Sequence, residues 1–255
     1  MRKALAAFFL SCALVGAGPA FAADPETAFE RGEFLAAAEA GEAAGDQANL
    51  SIAAKALLAL CINDLRGPQT GARLDRAQHN AEAAMALAPD AVEPRLQLAV
   101  ALGIKSRRAG IGEALKQNYA ARGKALIGQA LTMAPNDARA HALLGGWNME
   151  VVRRGGPVGA RLLGASPRAG LKAFDRARAL APDNPAIALH YAVALLSVDA
   201  KRYEKQAGAL LAAASQGAPH DAFESAMREE ARRLSALMMS RGAEAAAQSA
   251  AAAFL

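Results

Sequence analysis

Apolar residues recur along this chain at three- and four-residue intervals, the spacing that lines one face of an α-helix. The segment 49–62 is an example, with a broad apolar face made by Leu50, Leu57, Leu58, Leu60 and Cys61. Turn-forming pairs such as Gly45-Asp46, Gly67-Pro68 and Pro89-Asp90 separate one such segment from the next. The alternation of apolar and polar residues that marks a β-strand is not seen, so the pattern predicts an all-α protein.

Three helix corners repeat one sequence pattern. Each has an alanine, four further residues and a proline, at Ala84–Pro89, Ala130–Pro135 and Ala177–Pro182. Seven positions before these alanines stand small residues, namely Ala77, Gly123 and Gly170. Nine positions after the prolines stand bulky residues, namely Leu98, Leu144 and Tyr191. Small residues let two helices cross closely, and proline stops a helix. The pattern predicts a tetratricopeptide-like α-solenoid of helical hairpins.

The repeats are larger than the standard one. Successive corner prolines lie 46 and 47 residues apart, whereas a tetratricopeptide repeat has about 34 residues. Because the corners are in register, the extra residues must lie between the first and second helix of each unit. We expect one long helix over 113–133 in the first unit and a loop over 153–167 in the second. Ser166 should then cap the following helix, with Pro167 in its first position.

The chain divides into three predicted parts: a leader at 1–22, a helical repeat domain at 23–240, and an Ala-rich helix or tail at 241–255. The leader has a basic start at Arg2 and Lys3, an apolar run, and Ala20-Phe21-Ala22 as a cleavage site. It is typical of a cleavable signal peptide and predicts export to the periplasm. A lipoprotein signal at Cys12 is disfavoured because Phe9-Leu10-Ser11 is a poor lipobox.

Composition adds little about chemistry. Loss of the leader leaves 27 basic residues against 24 acidic ones, which gives no indication of a nucleic-acid partner. Cys61 would be the single cysteine, and its apolar neighbours predict a buried thiol without a disulfide. No apolar run after the leader is long enough to span a bilayer. Standard catalytic motifs are missing and the four histidines are scattered, so we expect no enzyme, metal site or cofactor.

From about Ala84 to Leu237 the chain resembles the regulator of microtubule dynamics family. The resemblance rests on 101–104 (Ala-Leu-Gly-Ile), 141–147 (His-Ala-Leu-Leu-Gly-Gly-Trp), 164–167 (Gly-Ala-Ser-Pro), 174–177 and 218–221 (Ala-Pro-His-Asp). It implies a tetratricopeptide-like domain, with tethering at organelle contacts and phospholipid binding as known roles in the family. The export signal, and the lack of an anchor and of tether motifs, depart from the tethering members, so the tether role is not carried over.

The first helix of each hairpin should line a concave groove. Spacing from the corners places eight apolar or small residues there as candidate ligand contacts: Leu96, Val100, Ala142, Gly146, Met149, Leu189, Val193 and Leu196. Such a groove suits an acyl chain or an apolar peptide face, because each buried CH₂ is worth roughly 0.8 kcal/mol. The alternative is that these residues are ordinary core, covered by the inserted segments.

A basic rim is predicted beside the groove, formed by Arg107, Arg108, Arg153 and Arg154. These residues fit an anionic headgroup or an acidic partner, or they stabilise predicted helix C-termini as solvated cations. Trp147, the single tryptophan, is interpreted as a hairpin anchor more readily than as a ligand contact. The sequence thus indicates an exported protein-interaction scaffold, with binding of a lipid or another apolar ligand as the alternative.

Overall fold

A computed structural model describes residues 24–254, so the predicted leader lies outside the described residues. These residues form thirteen α-helices and no strand. The helices are α1 (Pro25–Glu30), α2 (Phe34–Ala44), α3 (Gln47–Asn63), α4 (Thr70–Leu87), α5 (Val92–Arg108), α6 (Ile111–Lys116), α7 (Tyr119–Met133), α8 (Ala138–Leu163), α9 (Pro167–Leu180), α10 (Pro185–Asp199), α11 (Glu204–Gln216), α12 (Ala222–Arg241) and α13 (Ala243–Phe254). The all-α prediction is confirmed.

The three predicted corners have one geometry. The helices α4, α7 and α9 are each followed by a C-cap alanine, namely Ala88, Ala134 and Ala181, whose φ angles are −137°, −132° and −139°. The N–H of each donates to the carbonyl of the corner alanine four residues earlier, and those alanines are fully buried. Asp137 and Asn184 then cap α8 and α10 by accepting from the main chain three residues on. The repeat is therefore structural, and the array is a helical-repeat solenoid.

Helices adjacent in sequence pack in pairs. The first helix of each pair also packs on the first helix of the next pair. We call α3, α5, α8 and α10 the inner row, because each packs on the next along the array. The second helices α4, α7, α9 and α11 pack behind them. Close packing at α8 and α9 needs glycine: a Cβ on Gly145 would lie 2.5 Å from Cδ2 of Phe174, and one on Gly170 would lie 3.0 Å from Met149.

The extra residues lie between first and second helices, as predicted, but both inserts differ from expectation. The predicted helix over 113–133 is two helices, α6 and α7, because Asn118 adopts a left-handed φ of 54° between them. The predicted loop after Arg153 is mostly helical: Gly156, with a φ of 58° and a ψ of −164°, interrupts α8, and a second helical segment that begins at Pro157 continues to Leu163. We call α6 and the outer segment of α8 (157–163) together the insert edge.

The last helices return to the first. Lys55 on α3 donates to Asp221, the N-cap of α12, with Nζ 3.3 Å from Oδ2. The helix α13 packs on α10 and reaches α3, which are two members of the inner row far apart in sequence. It therefore lies across the inner face, with Ala246 and Ala250 buried against the core.

Candidate functional site

The predicted groove residues are mostly buried. Leu96, Met149, Leu189, Val193 and Leu196 are at most 4% exposed, while Val100, Ala142 and Gly146 are partly exposed. Met149 faces Gly170 on α9, and Leu96 packs with Ala130 and Ala140, so these two point toward the second helices of their hairpins. The helix across the inner face is α13. Whether any of the eight residues contacts a ligand stays a prediction.

The C-terminal end of α13 is held by an aromatic contact. The ring of Phe254 meets the imidazole of His190 on α10 edge to face, with centroids 5.7 Å apart. Burial, together with the positive charge of Arg107, lowers the pKa of His190 to about 4. The imidazole is thus neutral at ordinary pH, and it packs as an aromatic side chain.

The four residues of the predicted basic rim have different environments. Arg108 donates to the carbonyl of Leu65, and Arg154 donates to the carbonyls of Ser106 (2.6 Å) and Ala109 (3.3 Å). These two bonds from Arg154 join the end of α5 to α8 just before its kink. The guanidinium of Arg154 therefore donates to carbonyls at the C-terminal end of α5 that have no partner within the helix, and its positive charge is favourable at the negative end of the helix dipole.

The two other arginines differ from each other. Arg153 pairs with Glu150 on the same helix through bonds of 2.8 and 3.0 Å. Arg107 instead has a buried Nε with no hydrogen-bond partner among the described residues. Burial lowers its pKa, and the charges of Arg153 and Arg154 add to the effect, although Glu150 opposes it. A buried donor without a partner is costly, so Arg107 is the rim residue best suited to an added anionic group.

Trp147 packs between α7 and α8. Its Nε1 donates to the carbonyl of Ala120 at 2.8 Å, and the ammonium of Lys124 lies 4.8 Å from its ring centroid. Lys124 also donates to the carbonyls of Leu163 and Gly164, which fixes the end of the outer segment of α8. Trp147 therefore has the packing role that was expected of it, but it anchors α8 to the preceding hairpin and not to its own partner α9.

Comparison with protein families identifies the family of the chain. The family described as regulator of microtubule dynamics protein 1-3 matches residues 53–239, well over half of the chain. The chain belongs to this family. No curated protein matches it. Membership confirms the resemblance seen at Ala84–Leu237, and it supports a helical scaffold for protein interaction over a catalytic role.

The described residues offer few features of a metal-binding or catalytic site. Within residues 24–254, no three His, Cys, Asp or Glu side chains come together as a metal-binding group. Cys61 is buried, and burial raises its pKa to about 11, so its thiol is a packed apolar group. Across the same residues, none of the helices combines the length and apolarity required to cross a membrane.

An open groove lies between α9 and α10. It has a volume of about 760 Å³ and runs between the start of α9 and the turn after α10. Its cations are Arg168, Lys172 and Arg202, and its carboxylates are Asp175 and Asp199. No feature of the sequence predicted this groove, because residues 168–175 and 198–203 read separately as the surfaces of two helices.

Proposed function

We propose that the protein is a helical-repeat scaffold that binds a helical segment of another protein on its inner face. The observation that carries the proposal is α13, because a helix already docks there. The partner's helix would take the place of α13 on α10.

The pattern of α13 defines the kind of helix that fits. Its buried positions are Ala243, Ala246, Ala250 and Phe254, and its exposed positions are Glu244, Gln248 and Ala252. Small side chains let a helix approach α10 closely, and the aromatic residue closes one end of the contact. A partner segment with small residues at three- and four-residue spacing and a terminal aromatic residue would make the same contacts.

The connection to α12 suits exchange of α13. The single residue Gly242 joins the two helices. Its φ of 85° and ψ of 171° are allowed for glycine and strained for other residues. Glycine leaves this joint free to change direction if α13 leaves the inner face. Since α13 is tethered, its high effective concentration would keep the face covered until a better-matched helix arrives.

The test uses a fluorescent peptide with the sequence of residues 243–254 and measures anisotropy. Phe254→Ala weakens the tethered helix, so we expect the labelled peptide to bind that variant about tenfold more tightly than the wild type. Ala252→Ser, at an exposed position of the same helix, is the matched control and should bind as the wild type does. If the peptide binds none of the three proteins, the inner face is not a helix-binding site.

A second candidate ligand is an anionic amphiphile. Arg107 supports it, because its buried Nε lacks a partner among the described residues and its charge acts on His190, the α10 residue that Phe254 of α13 contacts. The acyl chain would lie along α10 in place of α13, with the headgroup at Arg107. Native mass spectrometry before and after organic extraction tests this: a bound apolar mass that Arg107→Gln loses is expected, and its absence from the wild type rules the amphiphile out.

We also propose that the scaffold works in the periplasm after removal of residues 1–22. The basic start, apolar run and Ala20-Phe21-Ala22 site support this. Fractionation followed by N-terminal sequencing should find a periplasmic protein that begins at Ala23. A protein recovered from the cytosol with its leader intact would contradict export.

A further inference from the structure

The insert edge exposes apolar side chains in two pairs. Ile111 and Leu115 on α6 are 63% and 62% exposed, and Val158 and Leu162 on the outer segment of α8 are 82% and 77% exposed. Each pair has a four-residue spacing, so its members stand on the same face of their helix, one turn apart. Large apolar residues that are exposed in groups indicate a contact surface.

Hydrogen bonds at both ends hold the two segments on the same edge of the array. Arg154, three residues before the outer segment of α8, donates to the carbonyl of Ala109, two residues before α6. Lys124, on the helix that follows α6, donates to the carbonyl of Leu163, the last residue of α8. The insert edge is therefore fixed to α5 and α7, the hairpin that precedes α8.

Positive charge is concentrated around the insert edge. Residues 105–124 and 150–172, which contain its two segments and their flanks, have 11 lysines and arginines but only 2 acidic residues. Lys116 on α6 and Arg161 on the outer segment of α8 are exposed, and neither forms an ion pair with another described residue. Like charges of this size would keep two insert edges apart, so the surface needs an acidic partner.

Negative charge is concentrated on the first two helices of the same chain. Residues 24–46 contain 7 acidic residues and 1 basic residue. Leu35 on α2 is 46% exposed and stands one turn before Glu39, on the same side of the helix. Four exposed carboxylates have no ion-pair partner among the described residues, and together with Leu35 we call them the acidic face: Glu26, Glu30, Glu33 and Glu39.

The acidic face and the insert edge belong to different parts of one molecule. The helices α1 and α2 pack on each other, on α3 and on α12, whereas α6 packs on α5 and α7. The helix α8 packs on α5, α7, α9 and α10. Each molecule therefore presents both surfaces outward and covers neither with the other.

We infer that the insert edge of one copy of this chain docks on the acidic face of a second copy. Opposite charges would surround an apolar contact, in which Leu35 lies against the apolar pairs of the insert edge. Because the two surfaces differ, the contact is head-to-tail. A bound pair still has one insert edge and one acidic face unused, so assembly continues into a ring or an open filament.

The acidic face matches the insert edge better than a nucleic acid does. A nucleic acid would pair with the cations and leave the four apolar side chains in water. The acidic face offers carboxylates together with an apolar side chain, and every molecule presents it at the same concentration as the insert edge. The expected occupant of the insert edge is therefore another copy of the chain.

Self-association in this way uses other surfaces than the proposed binding of a partner helix. The inner face, covered by α13, takes no part in the contact, and neither surface of the contact includes a residue of α10 or α13. Binding of the labelled 243–254 peptide and association of whole molecules are separate measurements. Failure of one leaves the other standing.

The test is sedimentation velocity on the chain without residues 1–22, so that the apolar leader cannot itself associate. The described residues pack into one array without that segment. Over roughly 1 to 200 μM we expect growth from monomers through dimers to larger species, as for a contact of modest area. High salt should return the protein to monomers. A monomer at every concentration, or growth that stops at the dimer, overturns the inference.

Charge-reversal variants locate the two surfaces. Glu30→Lys with Glu39→Lys on the acidic face, and Lys116→Glu with Arg161→Glu on the insert edge, should each weaken association at least about tenfold. The four side chains are exposed, so melting curves by circular dichroism should match those of the wild type. Association that is unchanged in either variant contradicts the inference.

Matched controls separate the surfaces from net charge. Asp90→Lys with Asp183→Lys, and Lys205→Glu with Arg241→Glu, change the net charge by the same amounts at exposed positions outside both surfaces. Each should associate within about twofold of the wild type. If a control weakens association as much as its counterpart, net charge governs association and the two surfaces do not.

Mixing the two charge-reversal variants tests the head-to-tail arrangement. The acidic-face variant keeps an intact insert edge, and the insert-edge variant keeps an intact acidic face. An equimolar mixture should therefore form a one-to-one pair with wild-type affinity, and it should form few larger species because the outer surfaces of the pair are both altered. A mixture that associates no better than its components overturns the head-to-tail contact.

Apolar variants test the other half of the contact. Val158→Ser with Leu162→Ser should weaken association about tenfold, because the apolar part of the contact is lost. Leu87→Ser with Met239→Ser is the control, since Leu87 and Met239 are 59% and 81% exposed on α4 and α12. If the control weakens association as much as the Val158 and Leu162 variant, or if only Phe254→Ala changes it, the molecules associate through another surface.

Discussion

His190 and Phe254 are 64 positions apart in sequence, yet their rings meet at 81° with centroids 5.7 Å apart. The contact holds the end of α13 against α10, and it places the neutral imidazole under an apolar cover. The same imidazole lies close enough to Arg107 for that charge to disfavour its protonation. One aromatic pair thus connects the helix that covers the inner face to Arg107 of the basic rim.

Replacing Phe254 should loosen α13 without unfolding the array. Phe254→Ala removes a side chain that is 8% exposed, and comparable losses in cores cost about 3 kcal/mol or more. Because the residue is at the end of the last helix, the effect should be local opening. We expect amide hydrogen exchange in α13 to accelerate on the order of a hundredfold, with α3 and α4 unchanged. Unchanged protection of α13 would show that Phe254 does not hold it.

Acid should destabilise the protein through His190. The folded pKa of about 4 lies below the usual value of 6.5, so both states are neutral above pH 6.5 and the stability is complete there. As the pH falls from 6.5 to 4, the unfolded chain binds a proton that the folded chain refuses, and stability is lost. The loss should be on the order of 2 kcal/mol for this partly exposed ring.

The measurement is urea unfolding between pH 7 and pH 4, compared with His190→Gln. The difference in unfolding free energy between the two proteins should shrink as the pH falls, because the variant has no proton to bind at this position. Parallel pH dependences in the two proteins would contradict a neutral imidazole in the folded protein.

Two adjacent glycines on α8 should respond oppositely to alanine. A Cβ at Gly145 would lie 2.5 Å from Cδ2 and 2.7 Å from Cγ of Phe174, whereas at Gly146 the nearest atom is 3.9 Å away. Gly145→Ala must displace the buried ring and should cost about 1–3 kcal/mol. Gly146→Ala adds helix propensity without a clash and should stabilise by up to about 1 kcal/mol. Urea midpoints measure both, and equal shifts would mean that α8 and α9 do not cross closely at Gly145.

Asp221 should show two separable contributions. It accepts from the N–H of Glu224 at 2.8 Å as the cap of α12, and it pairs with Lys55 on α3. Asp221→Asn keeps a capping oxygen and loses the charge, so we expect a cost of about 0.5–1 kcal/mol that disappears in high salt. Asp221→Ala loses both interactions and should cost about 1 kcal/mol more. Thermal unfolding of both variants at low and high salt separates the two contributions.

The corners and caps were predictable because their signals are local. Each alanine, proline and cap residue acts within about one helical turn, and Ser166, for example, accepts from the N–H of Ala169 as expected. The break between α6 and α7 was missed because it depends on a left-handed Asn118, a conformation that asparagine tolerates but does not require. The outer segment of α8 was missed because Gly156-Pro157 is typical of a helix end. Gly156 does leave the helical conformation, but a second helical segment follows it directly.

The covering of the inner face was not predictable from the same signals. An Ala-rich segment indicates a helix but has no side-chain pattern strong enough to say which surface it contacts. The placement of α13 depends on tertiary contacts with α10 and α3, which lie far from it in sequence. For the same reason, the candidate groove residues could be assigned to the first helices of the hairpins but not to a particular face of them.

The contact between Lys55 and Asp221 has a consequence for the order of folding. Most of the packing joins helices that are neighbours in sequence, so hairpins can form locally and stack in turn, as in other repeat arrays. The ion pair joins residues 166 positions apart. Closing so long a loop costs conformational entropy, so this contact should form late in folding. The hairpins should therefore assemble first, the junction of α3 with α12 and α13 should form last, and this junction should be the first to open when the protein unfolds.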